Sequence, residues 1–581
     1  MTKVKSLPKI GAHVPTSGGM ATRSIEYALT IKAEAIQVFA SSPRTWATSA
    51  PNPAMDEAFK AKIAEHNIEA YVHASFLINL GSPTQSTYEN SLSATAYSLK
   101  RGKEIGAQGV VVHTGSAVDE SNIERAWKQI HEGVMPILNN LKDDDPWLLL
   151  EPTAGQGLSL VKKLDDLTKY MDALEWHPKV GVCLDTCHVF AAGHDIKKPG
   201  GMKETMDLLV QVVGLERIQL IHANDSMDIC GNLKDRHQNI GKGEIGSKPF
   251  IELLAHPAVV NAPLILETPG AEPEHGSEVA MLKKMRDRSM KIKALLYLGL
   301  LATTAVWGGA FLVMKDSLER QDVYSFLASR FTLAAFFMVL YKPRCLQGLS
   351  RVFIQRAALA GIFLGSGFIF QTFGLTQTTV SNTGFITGLY LVFTPLISWL
   401  LLKRKIFKMQ WSAVFVATIG LYLISFNGIS IGIGEMLVVI SAVLFAGQIV
   451  ALGEWSDGSN TYALALIQIL VCAFMFLGLS LKDGYQLPPD GGVWSSVLFT
   501  AFLATFIGVL IQTKAQSVMS ATAAGVLLAM EVPFALFFGL YFDNDPITFR
   551  IISGGSLVMI AMALVIWSDS KHTKSEENKS V

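Results

Sequence analysis

Two hydrophobic rhythms follow one another along the chain. In the first, the short apolar runs KIGAHV, AIQVFA, EAYVHA, GVVVHT, PWLLLEP, VGVCLD, IQLIHAN and PLILET recur through residues 9–268, separated by segments of helical spacing such as SLSATAYSLKRGKEIG and ESNIERAWKQIHEGVMPIL. Eight buried-type strands alternating with helices predict an α/β TIM barrel, (β/α)8. In the second rhythm, longer apolar runs take over at about 294–314, 323–341, 357–377, 383–402, 410–426, 434–453, 461–481, 493–511, 520–541 and 548–567. Each is near the roughly 20 residues that cross about 30 Å of hydrocarbon, so the pattern predicts an all-α, ten-helix transmembrane bundle. Two stretches, QTFGLTQTTVSNTGFITGLYLVFTPLISWLLL and QTKAQSVMSATAAGVLLAMEVPFALFFGLYF, share a polar start, small residues and a central proline, Pro395 and Pro533. Five spans followed by their repeat reverse orientation, a 5+5 inverted repeat with a transporter-like site near the midplane. The barrel is expected in residues 1–289, the ten-span domain in 290–568 and a polar tail in 569–581.

A chain of 581 residues exceeds what one hydrophobic core supports, and composition cuts it where the rhythm does. Twelve of the thirteen histidines precede residue 290, and the last is His572. Residues 1–290 carry 30 Lys+Arg against 35 Asp+Glu and the remainder 19 against 14, so the zero net charge is a cancellation of −5 and +5. An acidic half is a poor nucleic-acid binder by bulk charge; a DNA substrate needs a local source of positive potential. Five scattered cysteines suit a reducing compartment better than a disulfide framework. The start MTKVKSLPKIGAHV has no apolar signal core, so the first half is expected in the cytoplasm. Basic stretches MKIK, YKPRCLQGLSR, LLKRKIFK and SKHTKSEENK alternate with loops poor in Lys and Arg. By the positive-inside rule, both ends of a multi-pass protein of the cytoplasmic (inner) membrane then face the cytoplasm.

TIM-barrel chemistry sits at the C-terminal ends of the strands. There the sequence places His73, His113, Glu151, Asp185, His222 and Glu267; His188 follows in DTCH, and Asp235 and His237 in NDSMDICGNLKDRHQN. Any one of them alone reads as a core histidine or a helix-capping acid. All nine at one mouth are costly to bury unless cations hold them. Five imidazoles and four carboxylates suit zinc, with manganese or iron as alternatives, and bridging carboxylates let the set hold two or three ions. Cys183 and Cys187, which flank Asp185, are read as packing. Four carboxylates against three divalent ions leave a positive centre that a phosphodiester can occupy and be hydrolysed in.

The blocks GAHVPTSGG, HASFLINLGSP, VVVHTGS, EPTAGQG, GVCLDTCHVFAAGHDI, HANDS, DRHQNIGKGEIG and LILETPG, in this order over residues 10–285, resemble endonuclease IV, the zinc-dependent abasic-site endonuclease. The resemblance implies a trinuclear zinc centre. His73 and His113 would hold one ion, Asp185, His222 and Glu267 a second, and His188, Asp235 and His237 a third, with Glu151 bridging the first two. It implies DNA repair: hydrolysis of the phosphodiester 5′ to an abasic site in double-stranded DNA, leaving a 3′-hydroxyl and a 5′-deoxyribose phosphate, with Glu267 orienting or deprotonating the nucleophile. An abasic nucleotide lacks stacking and is cheaper to rotate out; by the same resemblance Arg44, Phe76 and Leu77 would enter the helix. Phe76 stands where a tyrosine is usual, Pro152 where an asparagine is, and Thr114 where a proline is. A metal-dependent sugar isomerase or epimerase shares the barrel and a core set like Glu151, Asp185, His222 and Glu267, but needs none of the other five.

The second half, with AVWGGAF, the SRF around Arg330 and MEVPFA, resembles the EamA-type drug/metabolite transporters over residues 290–568, implying a permease for a small solute. Arg330 and Glu531 lie inside apolar runs and are transport candidates; interhelical bonding is the alternative for both. The expected protein is thus an abasic-site endonuclease fused to a permease. The alternative is a transporter with a vestigial or regulatory barrel.

Overall fold

The computed structural model describes residues 7–402, 408–427, 430–456, 460–518, 521–543, 548–561 and 563–564. The expected tail 569–581 and part of the basic stretch LLKRKIFK lie outside them. The chain divides into two compact units between Lys291 and Ile292.

In the first unit, eight parallel strands close into a barrel: β1 Ile10–His13, β2 Ala35–Phe39, β3 Glu69–His73, β4 Gly109–His113, β5 Trp147–Glu151, β6 Val180–Asp185, β7 Ile218–His222 and β8 Leu264–Leu266. Each strand pairs with its chain neighbour, and β8 returns to β1. Strand residues alternate in direction, and the core divides accordingly. Ala35, Tyr71, Val111, Leu149, Cys183, Leu220 and Ile265 pack together as one layer, while intervening residues such as Ile36, Val72, Val110 and Leu150 pack with helix residues such as Phe59, Leu99 and Ile130. Two positions further along each strand come Gln37, His73, His113, Glu151, Asp185, His222 and Glu267. The apolar layer is therefore capped by a polar one at the C-terminal mouth. At Gly11 a Cβ would lie 1.6 Å from the Ala35 carbonyl oxygen, so only glycine lets β1 come this close to β2.

The second unit is helical. Seven helices among the described residues are long and apolar enough to cross a membrane: Glu272–Leu318, Val323–Tyr341, Arg351–Leu375, Val380–Leu402, Ile433–Trp455, Thr461–Lys482 and Gly491–Gln516. Three shorter apolar helices are Trp411–Gly420, Glu531–Phe542 and Phe549–Ala561. The first long helix begins well before the expected boundary at Met290, because neither a proline nor a turn sequence interrupts the change from amphipathic to apolar.

The two stretches read as a repeat share a break. One turns from the helix Val380–Thr387 into Tyr390–Leu402, the other from Ala521–Leu528 into Glu531–Phe542. Counted from Gly384 and Gly525, both breaks fall at the same offset. Each of these glycines is a site of close packing, a Cβ at Gly384 meeting Ala535 Cβ at 2.3 Å and one at Gly525 meeting Leu391 Cδ1 at 2.9 Å.

Candidate metal centre

Glu151, the fully buried last residue of β5, stands in the middle of the barrel mouth. Its Oε2 is 3.3 Å from Nε2 of both His73 and His113, and its Oε1 is 3.0 Å from His222 Nδ1. Glu267, just past β8, brings Oε2 within 3.2 Å of His222 Nδ1, and Asp185 Oδ2 lies 3.9 Å from that nitrogen. Asp185 also caps the short helix Thr186–Ala191 by accepting from the His188 backbone N–H, which fixes where His188 projects. His188 Nε2 lies 3.2 Å from Asp235 Oδ2, and His237 Nε2 lies 3.0 Å from Asp235 Oδ1. Ligand-type atoms of His73, His113 and Glu151, and those of Glu151, Asp185, His222 and Glu267, lie within 4.8 Å of one another. So do those of Asp185, His188 and His237, and of Cys187, Asp235 and His237. All nine residues singled out in the sequence are thus brought together.

Hydrogen bonds decide what the imidazoles offer the centre. His73 Nδ1 bonds the Ala74 carbonyl at 2.7 Å, His188 Nδ1 the Pro152 carbonyl at 3.0 Å, His237 Nδ1 the Glu267 carbonyl at 3.2 Å, and His222 Nε2 the Gln37 amide oxygen at 2.8 Å. A carbonyl only accepts, so each of these nitrogens carries the proton and donates. The other nitrogen of each ring then turns a lone pair toward carboxylate oxygens about 3 Å away. Two acceptors face to face need a cation between them: a second ring proton or a metal ion. Outward donation with an inward lone pair is the arrangement of metal-ligating histidines, and Glu151 Oε2, His188 Nε2 and His237 Nε2 are buried without a hydrogen-bond partner among the described residues. The donor set therefore fits divalent metal ions.

Charges in the metal-free centre follow from the same geometry. Against burial, which lowers it, Asp185 and Asp235 raise His188 well above the ordinary imidazole value and His237 to about 9. Against burial, which raises it, His222 and His73 hold Glu267 down at about 2. Burial pushes the Cys183 thiol up to about 12 and that of Cys187 up as well, so both favour the neutral thiol.

Sequence reasoning did not single out four supporting residues. Gln37, fully buried on β2, donates from Nε2 to Glu267 Oε1 at 2.6 Å and toward His13 Nδ1 at 3.1 Å, while its oxygen accepts from His222. Burial lowers His13 to about 4, leaving a neutral ring able to accept that bond. Asn224 donates to Asp185 Oδ2 at 2.6 Å and accepts from the Glu267 backbone N–H at 2.8 Å. Asp225 accepts from the backbone N–H groups of Ser226, Gly241, Gly243, Ile245 and Gly246, binding the loop beyond His237. Gln37 did carry a signal, a polar residue at an inward position of an apolar run; the other partners follow only from the folded chain.

The rim bears Arg44 and Phe76, which line one open cleft with His73, His113, His237 and Glu267. Phe76 is 48% exposed, with its ring against Phe39, His73 and His113 at 5.3, 5.1 and 5.8 Å. Leu77 is exposed beside it and does not line this cleft. In the membrane unit, Arg330 and Glu531 line a different cavity.

A parallel barrel with a polyhistidine, polycarboxylate mouth defines the class, and residues 25–285 match the family described as xylose isomerase-like TIM barrel. Residues 294–426 and 432–567 match the EamA-like transporter family. Within the barrel class the relatives are more specific. The chain is 54% identical over 285 residues to the probable endonuclease 4 of Streptomyces coelicolor, a match covering 48% of this chain and 97% of that protein. Identity to the probable endonuclease 4 of Streptomyces avermitilis is also 54%, over 279 residues, covering 48% and 90%. Among solved structures, endonuclease IV from Thermus thermophilus is 31% identical, with a TM-score of 0.43, covering 48% of this chain and 100% of that one. The chain belongs to the endonuclease 4 family and carries a C-terminal EamA-like transporter domain.

Proposed function

We propose that the barrel is a DNA-repair nuclease that hydrolyses the phosphodiester 5′ to an abasic site, using three zinc ions or, in their place, manganese or iron. The observation that carries this reading is the buried Glu151 carboxylate, which turns one oxygen to His73 and His113 and the other to His222. Such a carboxylate suits a bridge between two ions. His73 and His113 would complete the first site, Asp185, His222 and Glu267 the second, and His188, Asp235 and His237 the third. Bound ions would lower the pKa of water and offset phosphate charge, which answers the acidity of this half. Glu267, held at Oε1 by Gln37, keeps its other oxygen toward the centre, where it can orient or deprotonate the nucleophile. Arg44 would contact the DNA backbone beside the lesion, and the exposed ring of Phe76, with Leu77, would fill the gap left by the missing base.

For the second half the same reading takes residues 290–568 as a small-solute permease of ten spans in a 5+5 inverted repeat, following a nuclease domain in 1–289. Seven long and three shorter apolar helices and the matching breaks after Gly384 and Gly525 support it. The basic loops favour the cytoplasmic membrane, with the nuclease on the cytoplasmic side.

Glu267→Gln tests the nuclease site. Cleavage of abasic duplex by the full-length protein is expected to be abolished; normal cleavage by that variant sinks the assignment.

A further inference from the structure

The membrane unit encloses a cavity whose charges have no partners among the described residues. Arg330, 2% exposed, reaches it from the helix Val323–Tyr341. Its Nε donates to Thr505 Oγ1 at 2.7 Å, Nη1 approaches Met314 Sδ at 3.3 Å, and the Phe331 and Phe368 rings lie 5.2 and 4.9 Å away. No carboxylate pairs with it among the described residues. A guanidinium stays charged under all ordinary conditions, and an unpaired charge in a spanning segment marks a ligand path. Glu531 lines the same cavity, also buried and without a hydrogen bond or ion pair among the described residues. Tyr390, whose hydroxyl has no hydrogen-bond partner among the described residues, lines it as well.

Tyr390 and Glu531 each open the second helix of a broken pair, six residues after Gly384 and Gly525 respectively. The buried Arg330, without a carboxylate partner among the described residues and lining this cavity, thus points to negative charge on the ligand.

We propose that this cavity binds the transported solute and that the solute is a small monocarboxylate, its carboxylate on Arg330. The planar fork of arginine matches a carboxylate in two parallel hydrogen bonds. Glu531, which has no ion pair among the described residues, penalises a second anionic group and so limits the solute to one. Trp307, Phe311 and Phe445 form apolar walls, and Gln448 and Gln512, bonded to one another through Gln512 Nε2 and Gln448 Oε1, form a polar edge. Free space between the walls is about 60 Å³, enough for a few water molecules, so the binding state has them further apart. The inference rests on the transporter reading of this half.

The probe is radiolabelled benzoate, measured for equilibrium binding to the full-length protein in nanodiscs and for uptake into proteoliposomes. Saturable binding is expected, displaced by unlabelled benzoate, at least tenfold less well by terephthalate, and not by benzylammonium. Arg330→Gln should weaken binding at least tenfold, with Arg330→Lys between it and the wild type, and Glu531→Gln should narrow the gap between benzoate and terephthalate. Absence of saturable binding, displacement by benzylammonium, or unchanged binding in Arg330→Gln overturns the proposal; the competition series decides this on wild-type protein even if a variant misfolds. Uptake of benzylammonium without benzoate binding would overturn the solute class and keep the permease. Arginine-dependent benzoate binding without uptake would keep the binding class and count against the permease.

Discussion

On the three-ion reading proposed above, replacing Gln37 by leucine should loosen one ion of the three. The side chain is fully buried, and its amide joins His222 Nε2 (2.8 Å), Glu267 Oε1 (2.6 Å) and His13 Nδ1 (3.1 Å). Its orientation is dictated by its neighbours, since the reversed amide would set N–H against N–H at His222 and oxygen against oxygen at Glu267. By accepting from Nε2 it holds His222 in the tautomer whose Nδ1 lone pair faces Glu151 and Glu267. Leucine has similar volume and can neither accept nor donate. A hydrogen bond to a charged group is worth about 1.5–3 kcal/mol, and a buried donor left unpaired costs about 1–3 kcal/mol. Much of that loss also falls on the metal-free protein, so only a part appears in metal affinity. Losing an outer partner of a ligand typically lowers affinity about 10–100-fold, which is about 1.4–2.8 kcal/mol. Gln37 has no bond to His73, His113, His188, Asp235 or His237, so the loss should be confined to the ion held by Asp185, His222 and Glu267. The assay is zinc per full-length chain, by mass spectrometry, across a series of buffered free-zinc concentrations. One ion per chain should leave early in the variant, with the remaining loading close to wild type. A loading curve that overlays the wild type, or loss of all three ions together, would refute the reasoning.

Phe76→Ala should weaken binding to abasic duplex while leaving metal content nearly unchanged, because the half-exposed ring stacks on the ligand histidines without fixing their tautomers; equal losses in fluorescence-anisotropy titration and metal analysis would instead assign it a packing role. Metal loading at pH 7 should release protons, since His188, His222 and His237 are all raised above the ordinary imidazole value by facing carboxylates. A group raised in this way keeps its proton up to its own pKa, so apparent metal affinity should fall as pH drops below about 9; calorimetric heats identical in phosphate and Tris buffers would contradict this. Asp225→Asn should cost the loop around Gly241–Gly246 about 1.5–3 kcal/mol of local stability, read as faster hydrogen exchange at those amides, and unchanged protection there would count against its role as the loop anchor.

The barrel was largely legible because a strand is a one-dimensional pattern with a two-residue period. An apolar run that ends in His, Asp or Glu says both that a strand exists and where its mouth lies, and His73, His113, Glu151, Asp185 and His222 are all final strand residues. His13 and Gln37 obey the same rule of inward parity and escaped notice for different reasons. His13 ends β1, but in a short run that contains Gly11 and continues into Val14, whereas Gln37 sits mid-strand before the apolar Val38 and Phe39. What no periodicity could supply is the bonding between distant strands. The bond from Gln37 to Glu267 spans 230 positions in sequence, and the choice of donating nitrogen on each histidine depends on carbonyls contributed by the fold.

In the membrane half, hydropathy reports whether a segment is apolar enough for lipid and is silent on whether its helix is continuous. The runs at about 383–402 and 520–541 are unbroken as hydropathy, yet both are two helices meeting at an angle of the chain near residues 388–389 and 529–530. Pro395 and Pro533 lie within the following helices, and a proline there removes a bond to the carbonyl four residues earlier, Leu391 and Ala529, close to each break. The paired glycines at Gly384 and Gly525 are where each stretch meets the other, Gly384 against Ala535 and Gly525 against Leu391. A similarity visible as shared composition thus becomes, in three dimensions, reciprocal contact between the two broken pairs, and that contact brings Tyr390 and Glu531 to one cavity. Arg330 comes from a different helix, Val323–Tyr341, so the cavity's positive charge is set on one side only. Under the permease reading proposed above, a charge on one side of the cavity would hold a solute in one orientation while one bundle rocks against the other around it.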